Sequence, residues 1–369
     1  MVSKPKKLVL AVIDALKPEM LERAIEHRRA PVMAKLIEDG LYVRDCVSTF
    51  PSVTPVAASA IATGAGPDEH HIPAMNWYHR GEERYVEYGS SFEASRTFGI
   101  VRSLQDLVYN LNLAHLSRAR PTLFEHLADG GFRSACTTYM IYRGRTRHQA
   151  ASESMYSRLA RAAQFRHAVW GPDELFYADL FASRRTDCRS TLGLPGQRDQ
   201  HAGCVGAHLV EHDLFDFMLA SLPDNDTYSH RRGPFAQVTS IVSADRALER
   251  IMHAAGGPDA FLEEHAVIVM SDHSQVAVRV ASTWPRRWPR GTCSGLTATP
   301  RPLRSQSARR SARLRSTSWT APSDAGSCRA WSGTSGPSTS STRSPGWLAA
   351  TRRRSRRRAG SCASHRAKT

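Results

Sequence analysis

Three observations predict an α/β fold with a mostly parallel central sheet flanked by helices on both faces. Wholly apolar segments such as KLVLAVI (residues 7–13) and HAVIVM (265–270) have the composition of strands buried on both faces, as parallel sheets require. Helical segments with proline starts and glycine ends alternate with such strands. The strands also end in chemistry-bearing residues: 7–13 runs into Asp14, 214–219 into a loop rich in acids and hydroxyls, and 265–270 into Asp272 and His273.

In chain order, the first strand delivers Asp14 to the carboxyl edge of the sheet. PEMLERAIEHRR and APVMAKLIEDG follow as helices, the second closed by Gly40, and LYVRDCVSTF reads as a strand leading towards Thr54. In STFPSVTPVAASAIATG, Thr54 reads as an N-cap, Pro55 as a first-turn proline and Gly64 as the C-terminal stop. A hydroxyl at a helix N-terminus faces free N–H groups and the positive end of the dipole, which favour an anion and an alkoxide. The same pattern also describes an ordinary capped helix. PTLFEHLADGG is a helix, FRSACTTYMIY a strand, and residues 78–114 and 144–199 read as long crossovers covering the site. AQVTSIVSADRALERIMHAAGG is an amphipathic helix before the last apolar strand.

The chain has 369 residues, 41% of them hydrophobic, enough for a large core. Its formal charge of +16 is unevenly distributed. Residues 279–369 carry 20 Lys or Arg and one acid, Asp324, leaving 30 basic and 33 acidic residues in the first 278. A mildly acidic body at 1–278 is thus joined to a strongly basic tail at 279–369. Only six apolar residues separate the basic start from Asp14, short for a secretory segment, and no run approaches the roughly 18 needed to span a bilayer. Seven cysteines without a CxxC pair read as reduced thiols, so a cytoplasmic protein with no membrane partner is expected.

Taken singly, Asp14 is compatible with a helix cap and Asp272-His273 with a turn. Together with Thr54 and the pair Asp226-x-x-x-His230 they supply carboxylate oxygens and imidazole nitrogens, the ligands that suit zinc or a similar divalent ion. Two metals are the economical interpretation, one holding the nucleophile as an alkoxide and its neighbour steadying the opposing oxygen of an in-line displacement.

The order of these motifs, Ile13-Asp14, then FPSVTP with ATG, then PDNDTYSHRRGP and SDHS, resembles the nucleotide pyrophosphatase and type I phosphodiesterase branch of the alkaline phosphatase superfamily, over residues 7–275. The resemblance implies an alkaline-phosphatase-like sandwich and Thr54 as covalent nucleophile. It also implies one metal held by Asp14, Thr54, Asp272 and His273, and a second by Asp226 and His230. Sulfatase relatives present a cysteine or serine in a C/S-x-P-x-R setting, whereas Pro55 directly follows Thr54 and no arginine is near. Family members often hold a phosphoryl oxygen with an asparagine just past an HG motif. Here HHIPAMNWY sets His71 in place of the glycine and Asn76 one position later. Arg143 and Arg145, after a strand end, suit a phosphate clamp, and a solvated basic loop is the alternative. His201, Cys204, His208 and His212 make a stripe with metal-like spacing that equally dresses one helix face.

The expected activity is metal-dependent hydrolysis of phosphodiester or pyrophosphate bonds in a small or nucleotide substrate, through a phosphothreonine at Thr54 and its release by water. A further family histidine in a glycine-flanked motif downstream of SDH has no counterpart, so the second ion has two protein ligands and reduced activity is expected. From Trp284 onward there is no Val, Ile, Phe, Tyr, Met, Glu or Asn, a vocabulary unable to build strands and typical of a GC-rich gene read out of frame. The alternative is an Arg/Ser-rich arm, with RRRSRRR at 352–358, that binds nucleic-acid phosphates. Translating the coding DNA in three frames from the codon for Ala260 checks this. A second frame with alternating apolar strands and a glycine-flanked histidine is the expected outcome, and its absence favours the arm.

Overall fold

The computed structural model describes residues 5–150, 167–177, 180–188, 190 and 193–278. The basic tail, and every expectation placed on it, lies outside the described residues.

The central sheet has the strand order β10-β1-β9-β4-β7-β8. β1 spans Lys7–Ile13, β4 Ser134–Thr137, β7 Glu174–Tyr177, β8 Phe181–Ala182, β9 Phe217–Leu222 and β10 His265–Met270. All neighbours pair in parallel except β7 with β8, so the sheet is mostly parallel, as its sequence predicts. β1 is buried because it lies between two strands and two layers. Val9, Ala11 and Ile13 face a core made with the helices Pro18–Glu26, Pro31–Asp39, Arg198–Glu211 and Val238–His253. Leu10 and Val12 face the opposite core, with the helices Thr54–Thr63 and Leu123–Asp129. A period of two thus hides inside an unbroken apolar run.

Register decides where the strands finish. Val12 pairs with Met270 and Ile13 with Leu222, so β1, β9 and β10 end level with one another. The residues that follow each strand therefore share one edge.

Four expectations change. Residues 41–50 form no strand, because β9 and β10 occupy both sides of β1; Leu41, Val43, Val47 and Phe50 are left exposed. The strand expected at 214–219 begins at Phe217, after a turn with Asp213 at φ 51°. The acid-rich loop after it is the helix Asp224–Arg232, whose acids in the first turn and bases in the last suit the helix dipole. The crossovers hold more structure than their weak periodicity suggests. A hairpin of β2 (Asn76–His79) and β3 (Arg84–Glu87) precedes a π-helix at Asp106–His115. Residues 144–199 supply a second hairpin, β5 (Thr146–His148) with β6 (Val169–Gly171), and also β7 and β8.

The cysteines also differ from expectation. Cys188 and Cys204 are disulfide-bonded, their Cα atoms brought to 5.7 Å by the return of the chain onto the Arg198–Glu211 helix. This removes the support that reduced thiols lent to a cytoplasmic location, since such bonds persist in oxidising compartments. It also consumes Cys204 of the His/Cys stripe. Among the described residues no helix is long and apolar enough to cross a membrane.

The same helix packs closely on Val238–His253. A Cβ built on Gly203 would lie 2.8 Å from Ala247 Cα, nearer than a side chain tolerates. Gly203→Val is therefore expected to lower the unfolding free energy by about 1–3 kcal/mol, read from urea-denaturation midpoints.

Candidate active site

Thr54 is the first residue of its helix, one position inside the expected cap. Val53 is the N-cap, and its carbonyl accepts from the N–H groups of Val56 and Ala57. The Thr54 hydroxyl caps nothing and lies 3.0 Å from His273 Nε2. His273 Nδ1 lies 3.3 Å from the Ser274 carbonyl, which places the ring proton on Nδ1 and leaves the Nε2 lone pair facing Thr54.

Around this pair the strand ends converge. Asp14 Oδ1 is 3.5 Å and Asp272 Oδ2 3.8 Å from His273 Nε2. Asp14, Asp226 and His273 each offer a ligand atom within 4.8 Å of the other two. Asp226 also meets His230 Nε2 at 3.3 Å, one helical turn away, with that imidazole largely exposed. The structure thus brings together Asp14, Thr54, Asp226, His230, Asp272 and His273. It sets Asp226 against Asp14 and His273 as well as against His230.

The electrostatics of this group are unbalanced. Burial, followed by the charges of Asp272 and Asp226, pushes the Asp14 carboxyl well above the ordinary carboxylate range. Burial also raises Asp272, against the opposing effect of His273. Asp14 Oδ1 is buried without a hydrogen-bond partner. An orphaned acceptor among several carboxylates and an imidazole is a donor set that a divalent cation would satisfy, so the residues fit the metal that the sequence implies.

A frame of amides and hydroxyls, which sequence reasoning missed, holds the loops. Asn225 Nδ2 donates to Asp14 O, and Gln237 Nε2 donates to Ala15 O. Ala15 needs that support: it is buried with φ 57°, a left-handed conformation unfavourable for a residue with a Cβ. Ser48 Oγ donates to Asp272 O at 2.5 Å, tying the Thr54 loop to β10, and Gln275 Nε2 donates to Asp226 Oδ1 at 2.6 Å. The PDND and SDHSQ text carries Asn225 and Gln275, but only the fold shows what each touches.

The arginine clamp is corrected. Arg143 is buried and its donors are committed within the protein: Nε to Glu125, Nη1 to the Leu116 carbonyl, Nη2 to those of Ser117 and Arg120. Arg145 is shared between Glu125 and Asp129. Both read as structural once the Leu123–Asp129 helix supplies these acids. Asn76 opens β2 and is exposed. His71 adopts φ 67°, the left-handed position that explains why a glycine belongs there.

With this geometry in place, the comparisons identify the class. The type I phosphodiesterase / nucleotide pyrophosphatase family matches residues 8–287, and the chain belongs to that family. No curated protein sequence matches it. Among solved structures it is similar to phosphonoacetate hydrolase from Sinorhizobium meliloti 1021, at 18% identity and a TM-score of 0.46, over 73% of this chain and 56% of that one. It is also similar to murine ectonucleotide pyrophosphatase / phosphodiesterase 5, at 12% identity and a TM-score of 0.47, over 73% and 57%. The human form of the latter gives 13% identity and 0.46 over the same shares. The chain therefore spans little more than half the length of these structures.

A second acid pair anchors the Asp226 helix. Asp199 N–H donates to Asp224 Oδ2 and Asp224 N–H to Asp199 Oδ1, while Arg198 Nε donates to Asp224 Oδ1. Burial, then the Asp224 charge, pushes Asp199 up to about 8 from 3.8. A raised carboxyl favours the folded state while protonated, so that stability is complete below pH 3.8 and is lost as pH rises towards about 8. Asp199→Asn keeps the acceptor and removes the titration. Its fall in denaturation midpoint from pH 5 to pH 8 is expected to be smaller than the parent's.

Proposed function

We propose that residues 1–278 form a metal-dependent hydrolase of phosphodiester or pyrophosphate bonds, with Thr54 as nucleophile and two zinc ions as cofactors. The observation that carries this reading is the Thr54 hydroxyl 3.0 Å from His273 Nε2, which in turn lies beside the buried carboxylates of Asp14 and Asp272. Family membership supports it. Asp14, Thr54, Asp272 and His273 would hold one ion, and Asp226 with His230 the other. When bound, such ions supply positive charge that stabilises the threonine oxygen as an alkoxide and offsets charge building on the phosphoryl group.

The chain's own residues perform the rest. His273, its Nδ1 turned to the Ser274 carbonyl, would present Nε2 to the same ion that holds Thr54 Oγ1, and the Thr54 proton is lost to solvent. As the bond from Oγ1 to phosphorus forms, the bond from phosphorus to the leaving alcohol or phosphate oxygen breaks, and that oxygen departs with its electron pair. Water then attacks the phosphothreonine, the bond to Oγ1 breaks, and Thr54 recovers a proton. Asn225 and Gln237 keep the 14–17 turn in place throughout, and Asn76 is the residue proposed to hold a phosphoryl oxygen. The substrate is a small phosphodiester or a nucleotide.

The nucleic-acid-binding alternative rests on residues 279–369, outside the described region, and neither the family match nor the similar structures support it. Turnover of an aryl phosphodiester is the test. Thr54→Ala is expected to lose at least about 10³-fold in kcat, as removal of a covalent nucleophile does. Parent-like turnover in that variant overturns the assignment. Because Asp226 and His230 give one ion two protein ligands against the usual three, parent activity is expected to climb with added zinc and to vanish after chelation.

A further inference from the structure

We propose that His79, Glu82 and His115 form an additional zinc site, built on the β2–β3 hairpin and the end of the π-helix and separate from the Thr54 cluster. The three side chains offer ligand atoms within 4.8 Å of one another. His115 Nε2 is 3.1 Å and His79 Nε2 4.0 Å from Glu82 Oε1. A tetrahedral zinc ion with bonds of about 2.1 Å spaces its ligands about 3.4 Å apart, a spacing close to that of Glu82 and His115, and His79 would have to move in by at least about 0.6 Å. Two imidazoles and one carboxylate are also a three-ligand set that zinc accepts, with water in the fourth position.

The surroundings favour this use. Tyr88 Oη donates to His115 Nδ1 at 2.8 Å while His115 Nε2 donates to Glu82 Oε1, so a metal would take the place of the proton that already joins these two ligands. Arg84 takes the other oxygen of Glu82 at 2.5 Å, leaving Oε1 available. Its charge is met by Asp106, to which it makes bonds of 2.7 and 2.8 Å, so Glu82, Asp106 and Arg84 together remain net negative. A ten-residue π-helical run is rare in proteins, and this one ends on His115.

Two rearrangements are required: His115 must carry its proton on Nδ1, where Tyr88 Oη would accept it, and His79 must change tautomer as well. His79 Nδ1 now accepts from the Glu82 N–H at 3.0 Å, which sets the neutral ring's proton on Nε2. Ligation through Nε2 moves that proton to Nδ1 and opens the contact in the exposed turn at 80–83. The ion would then join the hairpin tip to the π-helix and stiffen the hairpin that begins at Asn76.

Cobalt titration of the full chain tests the site, in an Asp14→Asn/His273→Ala background that disables the sheet-edge cluster. The background is expected to bind one Co2+ with tetrahedral visible absorption. Added Glu82→Gln or His79→Ala, both at the accessible hairpin end, should each weaken that binding by at least about 10-fold. Circular dichroism confirms that the variants fold. A background that shows no tetrahedral Co2+ signal, or folded hairpin variants that bind as the background does, would overturn the proposal.

Discussion

Parallel pairing of β1 between β9 and β10 is the constraint on which the site depends. Because the three strands end in register, Asp14, the Asp224–Arg232 helix and Asp272-His273 are forced into one small volume. Two like charges about 4 Å apart repel by about 4 kcal/mol at an effective dielectric near 20, so such a group is costly unless something offsets it. Protein groups provide a partial answer. Ala15 and His273 N–H groups reach Asp272, and Gln275 reaches Asp226, while Asp14 Oδ1 stays without a hydrogen bond. The residual imbalance is one that a bound cation would offset.

Much of the rest positions this edge. The reciprocal bonds of Asp199 and Asp224 fix the start of the Asp226 helix, and Arg198 reaches from Asp224 to Thr227. Asn225, Ser240, Gln237 and Ser229 make one buried network beneath the 14–17 turn. Such a network is worth its desolvation only when its members are paired, and these are. Beyond β10 the sheet has no further strand among the described residues, and Ile268, Val276 and Val278 are exposed there.

The fold was legible where a signal was local. An apolar run ending in an acid identifies a strand and its carboxyl end, which is why β1, β10, Asp14, Asp272 and His273 were readable, although β10 is mostly half-buried or exposed where the sequence suggests burial on both faces. Thr-Pro before a small-residue helix marked Thr54, although its side chain turned out to face His273 and to cap nothing. β7 escaped notice because four residues show too little period to separate strand from loop. Arg143 misled because a cation after a strand end has the look of a phosphate clamp until Glu125 arrives from another element.

The sequence by itself determined which groups carry the chemistry and which strand is buried on both faces, since residue type and short-range period decide these. Tertiary structure alone decided the partners: Cys188 with Cys204, Asn225 beneath Asp14, and His79 beside His115. The physical reason is range. Propensity and periodicity act over a few residues, whereas the distance between side chains 36 or 211 positions apart is set only when sheet order, helix packing and loop closure are satisfied together.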